Sequence, residues 1–93
     1  MAALYTKQEL LDKCTGQLST VTQGEYDRAS AYSDAIVNKE IPATTDDTTF
    51  KKQMSLELGM VHVILEHYNE EDPIAIEAIR RQQRAMFDIR RHA

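Results

Sequence analysis

The sequence predicts an all-α protein: a small bundle of four helices, with a long central third helix and an Arg-rich C-terminal helix. Three observations predict it. Two capping boxes mark helix starts in the first quarter of the chain, a long stretch carries apolar residues at helical spacing, and an Asp-Pro pair opens a final amphipathic segment. The 93 residues suit one domain, and their 42% hydrophobic content is that of an ordinary globular chain. A chain this short buries only about 60–65% of the surface its unfolded form exposes, so a partner would add usefully to its stability.

The first helix is set by Thr6-Lys7-Gln8-Glu9. In a capping box the Thr6 hydroxyl accepts from the Glu9 amide while the Glu9 carboxylate reaches back to the Thr6 amide, and Tyr5 and Leu10 stand at the two staple positions. The helix is expected from Lys7 to about Thr15, with Leu10, Leu11, Cys14 and Leu18 as its apolar side, and it stops at Gly16, a natural left-handed terminator. Thr22-Gln23-Gly24-Glu25 repeats the pattern, with Val21 and Tyr26 as the staple pair. A second helix is therefore expected from Gln23 to about Lys39. It ends before Ile41-Pro42, because proline disfavours helical geometry in the residue before it.

Residues 42–49 form a polar loop of repeated Thr and Asp, residues that compete for backbone hydrogen bonds and suit a turn. Asp46 or Asp47 is the expected cap of the third helix, which spans about Thr48 to Tyr68. Phe50, Met54, Leu58, Val61, Leu65 and Tyr68 make its stripe, and Leu56, Met60, Val63 and Ile64 widen it around most of the circumference. Such a helix is surrounded by neighbours. Gly59 at its centre weakens it by roughly 0.8–1 kcal/mol relative to Ala, which suits a place where another backbone passes close by. Asp72-Pro73 then starts the fourth helix with a cap and a first-turn proline. Ala75, Ile79, Met86 and Ile89 form its apolar stripe, Gln82 completes the spacing, Phe87 is read as core, and Glu77 and Arg81 are placed to pair four residues apart.

Little in the chain points to catalysis or to a cofactor. His62 and Glu66 share a face, with His67 next to them, but a metal site needs converging ligands and no Glu-x-x-His partner helix is present. Cys14, the sole cysteine, excludes an intramolecular disulfide and reads as a small buried apolar residue. Three scattered glycines make no phosphate loop. The N-terminus has neither the basic lead nor the apolar core of a secretory signal, and the run from Leu58 to Leu65 is too short to span a bilayer. A soluble protein of a reducing compartment is expected, non-enzymatic and without cofactor.

Charge is the feature that speaks to partners. Residues 1–79 hold six Lys/Arg against fourteen Asp/Glu, a balance of −8, whereas residues 80–93 hold five Arg against one Asp, a balance of +4. An acidic body with a basic end can bind copies of itself head to tail or dock on a separate acidic surface. The candidate protein-binding residues are Arg80, Arg81, Arg84, Arg90 and Arg91, together with Asp46 and Asp47 of the loop. On a helix Arg80, Arg84 and Arg91 fall on one side, with Arg81 and Arg90 towards others. Without interleaved aromatics for base stacking, and with a net charge of −4, nucleic acid is expected at most through nonspecific phosphate contact.

The layout resembles the small head–tail connector (adaptor, head-completion) proteins of tailed bacteriophages. Tyr5-Thr6-Lys7-Gln8-Glu9-Leu10-Leu11 matches their opening helix, and Arg28-Ala29-Ser30-Ala31-Tyr32-Ser33-Asp34-Ala35-Ile36 their second. Ile41-Pro42 followed by the Phe50–Tyr68 helix, and the Arg-rich run Ile79-Arg80-Arg81-Gln82-Gln83-Arg84, match the rest. The resemblance implies a non-enzymatic subunit of a homo-oligomeric ring in the virion neck, bound to portal and tail proteins. The C-terminal extension of some members would be missing here or reduced to Arg90–Ala93. On that reading, reversing charge at Arg80, Arg81 and Arg84 abolishes assembly and leaves the fold intact. Two other readings stand beside it. One is a small inhibitor or regulator that binds a host complex through Asp12, Glu25, Asp27 and Asp34. The other is a DNA-binding regulator, for which no helix-turn-helix is recognisable.

Overall fold

A computed structural model of the chain describes residues 3–41 and 48–92. They form four helices: α1 (Lys7–Lys13), α2 (Gln23–Glu40), α3 (Thr48–His67) and α4 (Pro73–His92). The architecture is a small all-α four-helix bundle, and no described helix is long and apolar enough to cross a membrane.

The helix starts follow from side-chain chemistry. Both capping boxes form: Thr6 Oγ1 accepts from the Glu9 amide (3.1 Å) and Glu9 Oε1 from the Thr6 amide (2.9 Å). Thr22 and Glu25 repeat the exchange at 3.2 and 2.8 Å. Asp72 Oδ1 accepts from the Ile74 amide (2.9 Å), which caps α4 as its Asp-Pro start requires. The ends are equally local. Helix α1 closes at Lys13, two residues before the expected end, in a tight turn where Gln17 and Leu18 donate to the Cys14 carbonyl. The turn passes through Gly16 at φ +99°, a conformation that glycine alone adopts without cost. Helix α2 gives way to extended Ile41 before Pro42. The candidates Asp46 and Asp47 lie outside the described residues, as does the loop 42–47 around them.

Helix α3 is the axis of the bundle and touches each of the other three helices, whereas α2 and α4 meet only briefly. Leu58, Gly59, Met60, Val61, Val63 and Ile64 are all buried, so its middle is apolar on nearly every side. One end of the core gathers Tyr5, Leu10, Cys14, Val21, Ala29 and Ala78 around Met60–Ile64, and both staple pairs belong to it. The other end joins Val37, Ile41, Leu58, Ala85 and Ile89, with Phe50, Met54 and Met86 packed against them. Leu65, expected in the stripe, is 37% exposed and lines an open surface groove with Tyr32, His62 and Gln82.

A polar thread crosses the bundle next to Gly59. Tyr5 Oη and Ser33 Oγ are 2.8 Å apart, Ser33 and Ser55 hydroxyls 2.9 Å, and Ser55 donates to Asp34 Oδ1 at 2.5 Å. Each hydroxyl can donate to the next, with the Asp34 carboxylate as final acceptor, so every buried oxygen has a partner. Asp34 also takes the Leu4 amide (3.2 Å), which fastens the N-terminal segment to α2. The close neighbour of Gly59 is thus the Tyr5 phenol and not a passing backbone.

Candidate interaction surface

Helix α4 turns Ala75, Ala78, Ala85 and Ile89 inward. Alanines at the contact let the helix sit close to α3, and the opposite side is left to solvent. Along that side, at spacings of four, four, three and four, run Ile76, Arg80, Arg84, Phe87 and Arg91, and all five are exposed. Phe87 is 60% exposed and Ile76 41%, the two largest exposures among the bulky apolar side chains described. Phe87 is therefore not core, as its apolar character suggested. It stands opposite the buried alanines, with the Arg91 guanidinium carbon 5.6 Å from its ring centroid, a cation–π arrangement.

The five candidate arginines divide by role. Arg81 leaves the surface and turns towards α3: its Nε and Nη2 donate to Glu57 Oε2 and Oε1 at 2.6 and 2.8 Å. Lys13 of α1 reaches the same carboxylate at 3.3 Å. This bidentate pair ties three helices together and replaces the expected Glu77–Arg81 pair; Glu77 faces Arg80 instead, at 4.0 Å. Arg84, Arg90 and Arg91 are exposed and form no ion pair among the described residues. The structure thus assembles Arg80, Arg84 and Arg91 with Phe87 and Ile76 on one face, sets Arg90 at its edge and removes Arg81 from it.

The histidines and carboxylates singled out in the sequence serve the α2–α3 seam. Arg28 donates to both Glu66 oxygens (2.9 and 3.1 Å), and its guanidinium holds the Glu66 carboxyl below the usual carboxylate range. His62 Nδ1 is 3.5 Å from Glu66 Oε1, without hydrogen-bond geometry, and its ring lies 5.1 Å from that of Tyr32. His67 turns the other way and pairs with Glu25. The Glu25 carboxyl is held low, first by the Thr22 amide it accepts from. His62, Glu66 and His67 therefore do not converge, and among the described residues no three His, Cys, Asp or Glu could hold a metal ion. Cys14 is fully buried, and burial pushes its thiol up to about 11, far from a reactive thiolate. Of the four carboxylates of an acidic docking surface, Glu25 and Asp34 are engaged inside the bundle, while Asp12 and Asp27 are exposed and bonded to Gln8 and Gln23.

The apolar half of the α4 face was readable from the same spacing as the arginines, since Ile76 and Phe87 are eleven residues, or three turns, apart. Compared with protein families, with curated proteins and with solved structures, the chain gives no significant match.

Proposed function

We propose that this protein is a structural adaptor that works by assembling with other proteins through the outward face of α4. The assembly is of the kind its layout resembles: a homo-oligomeric ring in a phage neck, between portal and tail. One observation carries the reading. Arg80, Arg84, Arg91, Phe87 and Ile76 form a continuous exposed face that the fold itself does not use. Arginine and aromatic residues set side by side are what dominates binding energy at protein interfaces. The acidic body behind that face adds orientation and salt sensitivity. The buried middle of α3 supports the same reading, because the fold is complete around it and leaves α4 free to carry the contact.

The test is quantitative mass spectrometry of purified phage particles from cells producing this protein. A copy number comparable to that of the portal subunit is expected. Absence from particles, with abundance in the producing cell, overturns the reading.

A further inference from the structure

Resting on that adaptor reading, we infer that the outward face of α4 docks on the outward face of α2 of a second copy of this chain, with Phe87 as the anchor. The α4 face has three positive charges around an aromatic ring, so its occupant must offer carboxylates around a recess. The chain itself has such a surface. The outer side of α2 carries an open groove of about 400 Å³ lined by exposed Ala31, Ala35 and Asp27, with the half-buried Asp34, whose carboxylate also takes the Ser55 hydroxyl and the Leu4 amide, completing its acidic rim. Methyl side chains leave depth for a phenyl ring. The two carboxylates, in a body whose residues 1–79 balance to −8, match the +4 of residues 80–93.

Phe87, Ala31 and Ala35 are all exposed, so the two faces do not cover each other within one molecule. The contact is heterologous: each copy uses α4 on one neighbour and α2 on the other, which gives a closed ring or an open chain of copies. Burial of Phe87 replaces its cation–π contact with Arg91 by packing, and frees that guanidinium for a carboxylate of the neighbour.

Sedimentation velocity on the purified chain tests this, with two variants at exposed positions, Phe87→Ala on α4 and Ala31→Arg on α2. The wild type is expected to gain weight-average mass with concentration at low salt and to lose it as salt rises. Each variant alone is expected to stay monomeric with an unchanged circular-dichroism melt. Their equimolar mixture should give a dimer and nothing larger, since one variant keeps α2 and the other keeps α4. Arg84→Glu repeats the α4 arm without altering the ring. A wild type that is monomeric at every concentration overturns the contact, and its presence in particles would leave the adaptor reading standing. Association of Ala31→Arg at the wild-type level also overturns it, because α4 would then be meeting some other surface. A head-to-tail dimer from a protein absent from particles would support the contact and overturn the adaptor reading.

Discussion

Gly59 makes room for Tyr5: a Cβ placed on Gly59 would lie 2.1 Å from the Tyr5 hydroxyl oxygen and 2.9 Å from the ring carbon that bears it. The glycine is in the middle of α3, where alanine would favour the helix by roughly 0.8–1 kcal/mol. Sterics outweigh that gain, because the phenol is 2% exposed and hydrogen-bonded to Ser33, so it has nowhere to retreat. Gly59→Ala is expected to destabilise the fold by about 1–3 kcal/mol in urea unfolding. In a Tyr5→Phe background the penalty should shrink, since the nearer of the two clashing atoms is gone. Additive penalties would contradict the account.

Ser55 is the middle of the hydroxyl thread and is fully buried. Ser55→Ala leaves the Ser33 and Asp34 oxygens short of a partner in a dry environment. It should cost about 1–3 kcal/mol by chemical denaturation. A neutral effect would mean that the thread contributes nothing.

Arg81 and Arg84 lie three residues apart, and their truncations should behave differently. Arg81→Ala breaks the bidentate contact to Glu57, whose side chain is only 15% exposed. The expected loss is about 1–2 kcal/mol, less than for a dry pair because the arginine is 39% exposed. Arg84→Ala should stay within about 0.5 kcal/mol of wild type. Reversal at Arg81 would face Glu57 with a second carboxylate, so a triple reversal that includes it damages the fold as well as the surface. Equal melting temperatures for the two truncations would contradict this division.

The carboxyls of Glu25 and Glu66 are held below their ordinary value of 4.5, by the Thr22 amide and by Arg28 respectively. In the window below that value the unfolded chain binds more protons than the folded one. Their contribution is therefore fully present above pH 4.5 and is lost as pH falls through the lower folded values. Thermal melts should drop as the buffer is taken below 4.5, and less steeply in Glu66→Gln, which has no carboxylate to protonate. A Glu66→Gln variant with the wild-type acid profile would contradict it.

The helix starts were legible because their signals are local. Thr6 with Glu9, Thr22 with Glu25, and Asp72 with Pro73 need no tertiary partner to be recognised, and each caps a helix. The exposure of Phe87 is not signalled by its own hydropathy, although its position opposite Ala78 and Ala85 implies it. Alanines are weak hydropathy signals, so Ile79 and Met86 drew the inferred core towards themselves, and both are only half-buried. The Glu57–Arg81 pair and the Tyr5–Gly59 fit were beyond the sequence. They join residues far apart in the chain and depend on how helices cross, which no local spacing encodes.

If Arg80, Arg84 and Arg91 with Phe87 form the working surface, incorporation of the chain into particles depends on that face. The measurement is the copy number, in purified particles, of an Arg80→Glu, Arg84→Glu, Arg91→Glu variant against wild type, with its melt recorded alongside. A variant that melts like wild type and is missing from particles is the predicted result. Incorporation at the wild-type level would contradict the account.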